Sequence, residues 1–148
     1  METKKYLLEI LVMLARSDSD IDEKEKIAIK RIARSRNFPE EEIERMFKLP
    51  TNPKILENIK ELSFKSKFDI LYYLVAIMKA DNQVLNEEIL FLQKITTLLG
   101  FELAAIMEIY HGVNTNIFSP SEKRLMRKKA EKFFLDKEGI SEPASDES

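Results

Sequence analysis

An internal repeat is the feature that most constrains what this chain can fold into. Residues 11–38 align without a gap on residues 74–101, at a constant offset of 63 positions. Six of the 28 aligned pairs are identical, and several more, such as Leu14/Ile77 and Arg16/Lys79, are conservative exchanges. A fixed period of this length indicates that one supersecondary unit occurs twice. The identical pairs are Leu11/Leu74, Val12/Val75, Asp18/Asp81, Glu25/Glu88, Ile32/Ile95 and Phe38/Phe101.

The apolar residues recur at spacings of three and four, which is the pattern of amphipathic helices, and no segment alternates as a strand would. We therefore expect an all-α fold: a single-domain bundle of about 7–8 helices, built from two pseudo-twofold-related helix-loop-helix repeats at about 5–48 and 66–111. The segment from about Lys65 to Ala80 is the most apolar and should be the central buried helix. The other predicted helices span roughly 4–16, 22–37, 39–48, a short turn after Asn52-Pro53, 87–99, 102–110 and 120–134.

Helix-end signals support these boundaries. Asn37 and Gly100 occupy equivalent positions after the second helix of each repeat, and both residue types suit the left-handed conformation that ends many helices. Pro39 is expected at the first position of a helix, and Ser119 is expected to cap the last one, with Pro120 as its first residue.

Length and composition predict one domain over residues 1–135. The 148 residues include no cysteine, which excludes disulfides, thiolate metal sites and a cysteine nucleophile. The net charge of −2 is too small to attract nucleic acid through the overall field. The apolar stretch of about ten residues near the N-terminus is interrupted by Glu9 and lacks a small-residue cleavage site, so we expect no signal peptide, and no apolar run is long enough to span a membrane. We expect a cytoplasmic protein with a polar, disordered tail over residues 136–148.

Each repeat carries the same acid pair, Asp18 with Glu25 and Asp81 with Glu88. In a helix-loop-helix unit the first acid ends one helix and the second lies in the first turn of the next, so the loop can bring the two carboxylates together. Oxygen-rich loops of this kind suit a divalent cation such as Ca²⁺ or Mg²⁺, bound weakly with a Kd on the order of 10⁻⁴ to 10⁻³ M. The alternative is structural, because a Glu three residues after a helix cap completes a capping box.

The two acidic segments resemble the signature of the TerB-like (tellurite-resistance B) family, roughly Lys-Ala-Asp-Gly-x-Ile-x-x-x-Glu. The matching residues run from Arg16 to Glu25 and from Lys79 to Glu88, with Ser19 and Asn82 in place of the usual Gly. The resemblance implies a duplicated all-helical domain whose metal-binding positions are Asp18, Glu25, Asp81 and Glu88. It also implies a non-enzymatic role in a bacterial stress response, with a protein partner still to be identified.

Two further function classes stay open. Enzymatic motifs are absent and His111 is the single histidine, so we expect no catalytic activity. A metal-independent helical adaptor is one alternative. The other is a protein at the anionic inner surface of the membrane, which would use the basic amphipathic helix at about 120–134. No nucleic-acid-binding motif accompanies that helix. Its cations are Lys123, Arg124, Arg127, Lys128, Lys129 and Lys132.

Overall fold

The computed structural model describes residues 2–16, 23–50, 54–80, 86–113 and 119–136. Within these ranges the chain forms eight α-helices and two 3-10 helices, with no strand. The prediction of an all-α protein is therefore confirmed. The α-helices are α1 (Glu2–Ala15), α2 (Glu23–Ser35), α3 (Glu40–Lys48), α4 (Ile55–Asn58), α5 (Phe64–Ala80), α6 (Asn86–Leu98), α7 (Ala104–Gly112) and α8 (Pro120–Ala130); the 3-10 helices are Ile59–Glu61 and Glu131–Phe133.

Helix α5 is the centre of the structure, as its apolar sequence predicts. It packs against α1, α2, α6, α7 and α8. Every side chain from Phe68 to Met78 is buried, so this part of the helix is covered on all sides. A helix that is apolar around its whole circumference is stable in water only when other helices surround it. Buried apolar side chains from all eight helices join α5 in one cluster.

The ends of α2 and α6 have the same backbone geometry. Asn37 has a φ of 67° and Gly100 a φ of 86°, as expected for residues that end a helix in the left-handed conformation. At each end, two hydrogen bonds satisfy carbonyl groups of the last helical turn. The amides of Asn37 and Phe38 donate to Arg34 and Ala33, and those of Gly100 and Phe101 donate to Thr97 and Thr96, at 3.0–3.1 Å.

Ser119 caps α8 as predicted, because its side chain accepts a hydrogen bond from the amide of Glu122, and Pro120 follows as the first helical residue. Pro39, in contrast, was expected inside α3 and precedes it instead. Its ψ of 150° is extended, so it is the cap residue and the helix begins at Glu40.

The last helix is shorter than predicted. It ends at Ala130, and a 3-10 turn leads to Phe134, which forms an antiparallel bridge with Phe101. The aromatic ring of Phe134 explains the stop, because it packs on Phe64 and Phe101 with ring centroids 4.9 Å away in both cases. The helix must end for the chain to turn this ring into the core.

Two predictions about secondary structure fall outside the described residues. These are the helix start at Asn52-Pro53 and nearly all of the tail, which begins with residue 136. In the described ranges, no helix has both the length and the apolar composition needed to cross a membrane.

Candidate functional site

Glu25 and Glu88 lie at equivalent places, each as the third residue of its helix. Their exposed fractions are 0% and 1%. Glutamates are rarely buried so completely unless polar or charged atoms compensate the carboxylate. Each of the two residues takes part in at least one hydrogen-bonding, ionic, ring or electrostatic interaction within the structure. Both repeats therefore place an acid inside the protein where the acidic loop joins the following helix.

The other two predicted ligands, Asp18 and Asp81, fall in segments 17–22 and 81–85, outside the described residues. The pairing of each Asp with its Glu thus stays a prediction. Among the residues that the structure does describe, no three His, Asp or Glu side chains converge as a metal-binding group. The structure places two of the four predicted ligands and does not show the four together.

Arg16 and Lys79 lie two positions before the predicted ligands Asp18 and Asp81, and both are anchored in the same way. The Arg16 guanidinium donates hydrogen bonds to the carbonyl oxygens of Leu49 and Phe47, at 2.7 and 2.5 Å. The Lys79 ammonium donates to the carbonyl oxygens of Tyr110 and Val113, at 2.7 and 3.1 Å. A cation at the end of a helix satisfies free carbonyls and interacts favourably with the helix dipole.

These contacts fix the entry to each acidic loop. Arg16 ties the first loop to the end of α3, and Lys79 ties the second to the end of α7. At the exit, the buried Glu25 and Glu88 hold the first turns of α2 and α6 against the core. The described residues that flank the two loops, Arg16 with Glu25 and Lys79 with Glu88, are therefore all held by contacts or burial.

Helix capping and cation binding would each fit this arrangement. The third helical position is where a capping-box Glu lies, so the positions of Glu25 and Glu88 also agree with the alternative that they cap their helices. The neighbouring acids of the same turns, Glu23 and Glu87, are exposed. The position of a carboxylate within the first turn thus decides whether it faces water or the core.

A second charged group was missed by sequence analysis. Asp69 on α5 is buried, with 5% of its side chain exposed, and lies 3.2 Å from the Lys123 ammonium of α8 and 3.8 Å from the guanidinium of Arg36. Lys123 also donates a hydrogen bond to the hydroxyl of Tyr73. The signal in the sequence was one acid within the most apolar helix, but its partners come from distant parts of the chain.

Lys123 consequently differs from the other cations of the basic segment. Its side chain is 15% exposed and points inward, so it belongs to the contact between α8 and α5. Nearby, burial, together with the smaller effects of the negative charges that Tyr73, Glu122 and Asp69 can carry, raises the pKa of Tyr72 to about 12. The phenol of Tyr72 stays neutral through the physiological pH range.

His111 lies in the last turn of α7 and is exposed. Its ring meets that of Tyr110 at right angles, with centroids 6.0 Å apart.

Comparison of the chain with protein-family models, with curated proteins and with solved structures gives no match.

Proposed function

We propose that this chain is a non-enzymatic helical binding module of the TerB-like kind, in which two duplicated acidic loops bind a divalent cation. The observation that carries the proposal is the matched burial of Glu25 and Glu88 beside the two loops. Asp18 and Asp81 complete the proposed ligand set. The cation would be Ca²⁺ or Mg²⁺, since carboxylate and carbonyl oxygens are the ligands these ions prefer.

Several structural correspondences support the duplication on which the proposal rests. Helices α2 and α6 are both 13 residues long, and their bounds differ by the same 63 positions as the aligned sequences. The left-handed residues Asn37 and Gly100 and the loop anchors Arg16 and Lys79 are related by the same offset. One unit used twice accounts for all of these pairs.

The physical role of the cation follows from the buried carboxylates. A carboxylate inside a protein is stable when a positive charge or several hydrogen bonds compensate it. A divalent ion in the loop would add that positive charge and would connect the loop to the first turn of the next helix. Loop order would then depend on the ion, and a partner surface that includes the loop would form only when the ion is bound.

The first test is thermal unfolding of metal-stripped protein in titrated Ca²⁺, Mg²⁺, Mn²⁺ and Zn²⁺. An ion that binds the folded state raises the unfolding midpoint. At an ion concentration tenfold above Kd the gain is about 1.4 kcal/mol, which corresponds to about 3–6 °C for a chain of this size.

Paired variants assign the site. Asp81→Asn/Glu88→Gln and Asp18→Asn/Glu25→Gln should each reduce or abolish the ion-dependent shift. The matched controls are Glu87→Gln and Glu23→Gln, which remove exposed carboxylates from the same helical turns. They should leave the shift unchanged.

No ion-dependent shift up to millimolar concentrations, with the paired variants merely melting at lower temperature, would assign the carboxylates to helix capping. The remaining proposal would then be a metal-independent adaptor that binds a protein partner. A pull-down that is insensitive to a chelator and that recovers the same partner with the paired variants would support it.

A further inference from the structure

The outer face of α8 combines positive charge with exposed apolar side chains. Met126 and Ala130 are buried against the core and define the inner face of the helix. Leu125, Lys128 and Lys129 are exposed. Because residues three and four positions apart share a helix face, these three side chains form one stripe opposite the buried one.

In the part of the chain that the structure describes, the cations of this face have none of the ion pairs found on other helices. In α2 and α3, Lys30 pairs with Glu44 and Arg34 with Glu40. Among the described residues, no ion-pair partner is found for the cations Arg124, Arg127, Lys128 and Lys129. No acid occurs between Glu122 and Glu131, so every charged residue from 124 to 130 is a cation.

Two leucines accompany these cations. Leu125 is 59% exposed on α8, and Leu135 is 63% exposed just after the 3-10 turn. The backbone holds Leu135 in place, because its amide donates to the carbonyl of Gly100 at 2.8 Å. An exposed leucine among lysines is stabilised where phosphates and hydrocarbon lie next to each other, as they do at a lipid surface.

We propose that the outer face of α8, defined by Arg124, Leu125, Lys128 and Lys129, binds the surface of a bilayer that contains anionic lipid, and that the exposed Leu135 after the 3-10 turn joins this contact. The ammonium and guanidinium groups contact headgroup phosphates, and the leucines enter the boundary of the acyl chains. Charge complementarity favours an anionic bilayer over a neutral one. The leucines favour lipid over nucleic acid, which has no apolar layer beside its phosphates to receive them.

The experiment is co-sedimentation of the full chain with vesicles of phosphatidylcholine alone, or of phosphatidylcholine and phosphatidylglycerol in equal parts. A chelator is present throughout, so the result is independent of the cation site proposed above. Binding should require phosphatidylglycerol and weaken as salt is added, because salt screens surface charge. Each lysine near an anionic surface contributes about 1 kcal/mol, so Lys128→Gln/Lys129→Gln should reduce partitioning roughly thirtyfold.

Two matched controls separate this face from general effects. Lys60→Gln/Lys94→Gln makes the same change in net charge at exposed positions on other helices, and should leave partitioning unchanged. Leu125→Ala should weaken partitioning, whereas Leu90→Ala, at a leucine of 64% exposure on α6, should not. All substituted side chains are exposed, and circular dichroism verifies that each variant is folded.

Three results would overturn the proposal: equal partitioning on both vesicle types, equal losses in the two lysine double variants, or insensitivity to Leu125→Ala. The same proteins are titrated with duplex DNA of mixed sequence. Tight DNA binding that depends on Lys128 and Lys129 but not on Leu125 would assign the face to nucleic acid instead.

Discussion

Replacing Asp69 by Asn tests whether a buried charge network holds α8 on the core. The substitution conserves the volume of the side chain and removes its charge. Lys123 and Arg36, which lie 3.2 and 3.8 Å from the carboxylate, would then face each other without a negative group between them. We expect α8 to be held less firmly and the whole chain to be less stable.

The magnitude follows from burial. Removing one partner of a fully buried ion pair costs about 3–5 kcal/mol. Asp69 is 5% exposed, but Lys123 and Arg36 keep 15% and 20% of their side-chain exposure, so water stabilises them in part. We therefore expect Asp69→Asn to lower the free energy of unfolding by about 2–3 kcal/mol, a large share of the 5–15 kcal/mol typical of a domain.

The assay is urea unfolding followed by far-ultraviolet circular dichroism, with Glu57→Gln as an exposed-acid control. A double-variant cycle with Lys123→Met should give a coupling free energy of at least about 1 kcal/mol. A loss below about 0.5 kcal/mol for Asp69→Asn, or additive effects in the cycle, would refute the reasoning, because such small effects are typical of surface pairs.

Two further predictions concern backbone conformation and pH. Gly100→Ala should lower the free energy of unfolding by about 1–2 kcal/mol or more, since an alanine at a φ of 86° is strained and its Cβ would lie 3.3 Å from the Phe134 ring. Asn37→Ala should cost about 1 kcal/mol and Asn37→Gly close to nothing. Equal urea midpoints for wild type and Gly100→Ala, or for wild type and Asn37→Ala, would contradict the expectation for the residue concerned. Because folding raises the Tyr72 pKa from 10.0 to about 12, it favours the neutral phenol. The neutral Tyr72 phenol should contribute fully to the free energy of unfolding below pH 10. This contribution, at most about 3 kcal/mol, should be lost as the pH rises to about 12. Absorbance titration of tyrosinate should show one late step that Tyr72→Phe removes, and the absence of that step from wild type would show that the phenol is not shielded.

The fold class and most helix positions could be predicted from the sequence because they depend on local signals. Periodicity located α5, and a left-handed residue type located the ends of α2 and α6 at Asn37 and Gly100. The serine cap of α8 was likewise local. The position of Pro39 was wrong by one residue, since proline's fixed φ suits both the cap and the first helical position and only ψ separates them.

Features that depend on distant residues could not be predicted. The end of α8 is set by the packing of Phe134 on Phe64 and Phe101, which no local pattern shows. The partners of Asp69 belong to α8 and to the residue after α2, so its role required the tertiary structure. The burial of Glu25 and Glu88 was also invisible in the sequence, where both look like ordinary acids of a first helical turn.

Direct counting of bound ions tests the central proposal most closely. Electron paramagnetic resonance of free Mn²⁺ measures how much ion the metal-stripped chain removes from solution, without relying on stability. We predict saturable uptake that Ca²⁺ or Mg²⁺ displaces and that falls in both Asp18→Asn/Glu25→Gln and Asp81→Asn/Glu88→Gln. A free Mn²⁺ signal that the wild-type chain leaves unchanged at millimolar concentrations would contradict the account, and the acid pairs would then be helix caps.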